Sequence, residues 1–146
     1  MPKLQLFQGF GIELEYVIVD KDSQKVLPIT DKGLKDLHGS FMDALENGAI
    51  NSSIILPLNV IELKTNGPAK ELEGLAESFS KNVKEINDLL AKYNGILMPT
   101  AMHPFMDPFT EMKLWPHERN EIYEKYNSIF DCKGHGWANL QSVHIN

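Results

Sequence analysis

The sequence predicts an α+β fold: a mostly antiparallel sheet with helices packed on one face and an acidic, ligand-binding face on the other. Three observations predict it. From Phe10 to Val19 the residues alternate, so that Ile12, Leu14, Tyr16 and Ile18 share one face of a strand while Glu13 and Glu15 share the other. From Ala69 to Asn94 apolar residues recur at helical spacing. The remaining short apolar runs are bounded by Asn, Gly and Pro, as strands and hairpins are.

Taken in order, the first strand ends in the polar turn Asp20-Lys21-Asp22-Ser23-Gln24, and Lys25 to Pro28 reads as a short returning strand stopped by proline. Asp31 can cap a helix in which Leu34, Leu37, Phe41 and Leu45 recur at spacings of three and four, with Asn47-Gly48 as its stop. Ile50 to Thr65 reads as one or two strands interrupted near Pro57, closed by the turn Asn66-Gly67-Pro68. In the long helix Leu72, Leu75, Phe79, Val83, Ile86, Leu90 and Tyr93 form one apolar stripe, which is core by default, and Gly95 ends it. Ile96 to Met98 is a further strand. A loop follows in which Pro99, Pro104 and Pro108 alternate with Met102, His103, Phe105, Met106 and Phe109, too apolar to stand free in water. A last helix over Glu118 to Phe130 carries Ile122, Tyr123, Tyr126, Ile129 and Phe130, and beyond Gly134 and Gly136 the segment Leu140 to Asn146 reads as another strand.

Composition narrows the function classes. The chain of 146 residues has room for one domain. Its net charge of −6 argues against a nucleic-acid surface, which needs concentrated Lys and Arg, and suits an acidic cleft that holds divalent cations. No apolar run is long enough to span a bilayer and Met1 to Gln8 has no signal-peptide pattern, so the cytoplasm is the expected location, with no membrane partner. One cysteine, Cys132, makes neither a disulfide nor a zinc site by itself. There is no Gly-x-Ser-x-Gly elbow, and the glycines of Lys133 to Asn139 fit neither a phosphate loop nor a dinucleotide fingerprint.

The residues able to carry chemistry are acidic. Glu13 and Glu15 repel each other on one face of a strand, and two readings stand: both face water, or a cation compensates them, for which hard oxygen donors favour magnesium or manganese. In Val60 to Thr65, Glu62 and Lys64 share a face opposite Ile61 and Leu63, so Glu62 either pairs with Lys64 or solvent, or joins the first two carboxylates if its strand lies in the same sheet. Ser142, His144 and Asn146 share a face of the last strand. His144 is either a fold histidine bonded to a carbonyl or a group that meets manganese, a phosphate or a carboxylate. His103 and His117, beside prolines, suit capping or packing, and His38 sits in a helix.

Four segments, in order, resemble the glutamate-cysteine ligase family of carboxylate-amine ligases: Gly11 to Tyr16, Val60 to Pro68, Thr100 to Pro104, and Gly136 to Asn146. The resemblance spans essentially the whole chain and implies a catalytic half related to that of glutamine synthetase, with residues 1–146 a single domain forming the N-terminal part of a longer ligase. It implies ATP and magnesium or manganese as cofactors, a γ-glutamyl phosphate intermediate, and glutamate plus an amino-acid amine such as cysteine as small-molecule partners. By resemblance, Glu13, Glu15 and Glu62 match acidic metal ligands and His144 matches the histidine of a His-x-Asn segment near metal and nucleotide phosphates. Asn146 is carried as a substrate or phosphate contact, and His103, in a His-Pro motif, as substrate- or nucleotide-binding. Some family sequences carry a further acidic residue where this chain has Asn51, Ser52 and Ser53. Such a fragment is expected to bind metal weakly and turn over slowly or not at all. The competing expectations are a non-catalytic binding or assembly module of the same fold, its exposed last strand pairing two copies, and a related ligase that differs only in its amine.

Overall fold

The computed structural model describes residues 3–38, 44–54, 57–117 and 120–146. Six strands form one sheet: β1 (Ile12–Asp20), β2 (Ala44–Asn47), β3 (Ile50–Ile54), β4 (Val60–Thr65), β5 (Gly95–Met98) and β6 (Val143–Ile145). The order is β2-β3-β4-β1, with β5 and β6 both on the far edge of β1, β6 along Ile12–Leu14 and β5 along Val17–Asp20. Every pairing is antiparallel. The helices are α1 (Thr30–His38), α2 (Leu75–Leu90), α3 (Pro108–Glu111), α4 (Asn120–Phe130) and α5 (His135–Ala138).

Alternation along β1 and β4 creates the two faces. Ile18, Ile61 and Leu63 meet Ile50, Leu97 and the stripe Phe79, Ile86 and Leu90 of α2, all buried, which forms the main core. The opposite face is divided. Where β1 carries Val17 and Val19, residues of 98–117 and 120–138 fold over it, burying Met106, Met112, Cys132 and Ala138 against Val26. Where β1 carries Glu13 and Glu15, that second core stops. The acidic face is therefore the open end of a half-covered sheet.

Several elements differ from expectation. The helix expected from Asp31 to Asn47 is two elements, α1 and then β2, because residues 44–47 pair with 50–53 of β3. Asn47-Gly48, which reads as a helix stop, begins the connection of that hairpin, with Gly48 at a φ of 67° suited to a tight turn. Phe41 lies outside the described residues. Asp31 sits inside the first turn of α1, where its carboxylate accepts from the Lys32 amide at 2.8 Å and meets His117 Nε2 at 2.9 Å. The long helix begins at Leu75, since Ala69 is drawn into a bridge with Phe10, each amide donating to the other's carbonyl at 2.8 and 2.9 Å. The strand expected over Lys25 to Pro28 is reduced to a bridge between Val26 and Val19, and the interruption at Pro57 separates β3 from β4. No described helix is long and apolar enough to cross a membrane.

Candidate functional site

The antiparallel registers lay the polar side chains out in two transverse rows. Glu13 lies opposite Lys64 on β4 and opposite His144 on β6, and Lys64 lies opposite Asn51 on β3. Two residues further along, Glu15 lies opposite Glu62, and Glu62 opposite Ser53. Because side chains alternate with a period of two, both rows face the same way. The sheet thus gathers Glu13, Glu15, Glu62 and His144, four residues that lie up to 131 positions apart in the chain.

Each carboxylate has its own partner. Glu62 Oε1 accepts from Lys64 Nζ at 2.6 Å and from Ser53 Oγ at 2.7 Å. Glu13 Oε2 meets His144 Nδ1 at 2.8 Å, and its other oxygen accepts from Asn146 Nδ2 at 3.3 Å. Glu15 Oε2 accepts from the Ser142 backbone amide at 2.7 Å. Burial pushes the Glu15 carboxyl above its ordinary value; the Ser142 amide and the His144 imidazole pull it back, and the charges of Glu62 and Glu13 raise it further. His144 is raised, chiefly by its hydrogen bond to Glu13. Glu62 and Glu13 thus each meet a side chain able to carry positive charge, whereas Glu15 meets only a neutral backbone amide.

The chemistry of this donor set, three carboxylates with an imidazole and a carboxamide, fits a hard divalent ion such as magnesium or manganese. Among the described residues no three acidic, His or Cys groups stand close enough to hold an ion as they are now arranged. In that arrangement Lys64 is bonded to Glu62 and His144 to Glu13. A cleft of about 340 Å³ opens beside Glu13 and Asn146, walled by Gly9, Gly11 and Pro68, and a smaller one of about 150 Å³ lies beside Glu15, Thr100 and Gln141. A larger cavity, about 650 Å³, is elsewhere: it runs between Ile12 and Leu14 of β1 and Leu72 and Phe79 near the start of α2, an apolar gap on the helix-covered side.

His103 stands apart from the row. It is 4% exposed, with Nε2 at 2.8 Å from the Gln24 carbonyl and Nδ1 accepting from the Phe105 amide, so both ring nitrogens are committed to the fold. Its backbone is clasped by Asn139, whose Oδ1 accepts from the His103 amide and whose Nδ2 donates to the His103 carbonyl, both at 2.9 Å. Sequence reasoning named Ser53 only where some family sequences carry an acidic residue, not as a partner of Glu62, and took Ser142 only as a side chain. Strand alternation carried back from Glu62 through one hairpin points to Ser53; the Ser142 amide leaves no trace in a sequence, because every residue but proline has one.

An antiparallel sheet that presents carboxylates on adjacent strands at its open end, in these motifs, is a fold of the carboxylate-amine ligase type. A model of glutamate-cysteine ligase family 2 matches residues 9–146, and the chain belongs to that family. It is also 32% identical over 136 residues to an uncharacterised protein of Archaeoglobus fulgidus, in an alignment that covers 93% of this chain and 36% of that protein. The chain therefore spans about a third of the length of that curated relative.

Proposed function

We propose that this chain supplies the metal- and nucleotide-facing wall of an ATP-dependent carboxylate-amine ligase that forms a γ-glutamyl amide. One observation carries the reading: Glu15, a desolvated carboxylate, lies directly opposite Glu62 and on the same face as Glu13 in a chain of this ligase family. Like charges opposed across a ladder are destabilising, so a site that retains them is built for a cation. Glu13, Glu15, Glu62 and His144 would hold magnesium or manganese, which when bound would neutralise phosphate charge during phosphoryl transfer.

The residues of the chain do the positioning. The Ser142 amide fixes the Glu15 carboxylate, His144 fixes Glu13, and Asn146 places a carboxamide at the mouth of the cleft beside Glu13. In the proposed reaction a glutamate carboxylate oxygen takes the γ-phosphoryl group of ATP and ADP leaves. The amine then attacks the acyl carbon, loses its proton to a base, and expels phosphate, leaving the amide. Both steps bring anionic groups together, so charge neutralisation and rigid placement are the main requirements.

Calorimetry with manganese and a non-hydrolysable ATP analogue tests the reading. Manganese binding that the analogue strengthens and that disappears in Glu13→Gln supports it; unchanged binding in that variant removes the metal assignment. A second reading, an assembly module pairing through its last strand, draws on β6, where Val143 and Ile145 are 65% and 76% exposed. A stable dimer with no ligand heat favours that reading.

A further inference from the structure

The acidic face carries a cation of its own. Lys64 lies between Glu13 on β1 and Asn51 on β3, in the middle of the transverse row rather than at its rim. Two positions after Glu62 on the same strand, it has to project to the same side. Its ammonium and the Ser53 hydroxyl both bond Glu62 Oε1, so one oxygen of that carboxylate takes two donors. Glu62 is the more buried member of the pair, at 13% side-chain exposure against 40% for Lys64. The buried carboxylate is fixed, and the ammonium is the mobile partner on a long flexible stem.

We propose that Lys64 is a built-in counter-cation which a divalent ion must displace from Glu62, so that metal entry and release of the ammonium are one coupled event. The inference rests on the ligase reading above in taking Glu62 as a metal ligand. A divalent ion on Glu62 would stand close to the ammonium, and their mutual repulsion favours release of Lys64 from the shared carboxylate. Lys64 therefore compensates the row when no metal is bound and sets a threshold for metal binding. Once displaced, it remains on a stem attached to the same face, a cation beside whatever anionic group the metal brings in.

Manganese alone, titrated into the full chain by calorimetry and by the electron paramagnetic resonance of the free ion, reads this directly. Lys64→Met keeps the stem and removes the charge. It should bind manganese roughly tenfold more tightly than the wild type, a coupling of ordinary size between adjacent sites. Lys64→Arg keeps the charge and should bind no more tightly than the wild type. Adding Glu62→Gln to Lys64→Met should abolish the gain. Without metal, Lys64→Met should melt lower than the wild type, and manganese should reverse the order, a crossing that a merely structural lysine would not produce. Equal or weaker manganese binding by Lys64→Met overturns the displacement while leaving the metal site standing. No manganese binding by any variant overturns both the displacement and the metal site.

Discussion

Replacing Glu15 with glutamine should make the metal-free protein more stable, because the fold tolerates that carboxylate rather than gaining from it. Glu15 sits directly opposite Glu62 in the β1–β4 ladder, two positions from Glu13 on the same face, and burial holds its carboxyl above the ordinary value of 4.5. A like-charge pair directly opposed across a ladder costs about 0.2–1 kcal/mol. Glutamine removes that pair and the desolvation of the charge, yet keeps an oxygen to accept from the Ser142 amide. The His144 charge, which favours ionised Glu15, offsets part of the gain. Because Glu15 is only half-buried and solvent screens its charge, the sum stays below about 1 kcal/mol at neutral pH, or no more than roughly 4 °C in melting temperature for a domain of this size. A group whose folded pKa is raised costs stability as pH rises through the interval from its unfolded to its folded value. The gain should therefore be absent below pH 4.5 and grow as pH rises past that value. Thermal melts of both proteins in chelator, at acid and neutral pH, measure it. A Glu15→Gln protein that melts lower than the wild type at neutral pH but not at acid pH refutes the reasoning, since the carboxylate would then be a net stabilising acceptor.

Two further outcomes follow from the same geometry. His144 is raised above 6.5 mainly by its bond to Glu13, so its contribution is fully present below that value and is lost as pH climbs through the folded value. In chelator the melting temperature should fall from pH 6 toward pH 8, and Glu13→Gln should flatten that slope; an equal slope in both proteins contradicts the pairing. His103→Ala should cost about 1–3 kcal/mol by orphaning buried partners, and should weaken manganese binding only as far as it destabilises the fold that places the carboxylates. A loss of manganese binding at intact stability would instead make His103 part of the site.

The sequence made one face of the sheet legible and the other only in part. Alternation in Ile12 to Ile18 and in Ile61 to Leu63 identified the buried side, because one period of two separates apolar from charged residues. The same alternation places Val17 and Val19 on the face of Glu13 and Glu15, a sign that this face is covered at one end, and the core around Met106 and Met112 is that cover. Leu34, Leu37, Phe41 and Leu45 satisfy a helical period, but Leu45 pairs with Ser52, and a ladder partner is not visible from within the segment it captures. Register is the deeper gap. That Glu62 falls opposite Glu15, and not opposite Glu13, depends on which strands pair and where, while a shift of one residue would send Glu62 into the core.

The segment Gly136 to Asn146 acts as a unit, and its order explains why the acidic row can be rigid at the open end of a sheet. Asn139 is fully buried and holds the backbone of His103 by two bonds, while His103 holds the carbonyl of Gln24 near the far end of β1. With that end anchored, the Gln141 amide donates to the Ala101 carbonyl, the next amide reaches Glu15, and β6 then runs along β1 to set His144 against Glu13. Placement of the two carboxylates thus depends on a polar hub beneath the second core, not on contacts at the surface where ligands would enter. His103 is bonded within that hub, and a carboxylate row that repels itself keeps its geometry because the strands, rather than its own interactions, determine where each group stands.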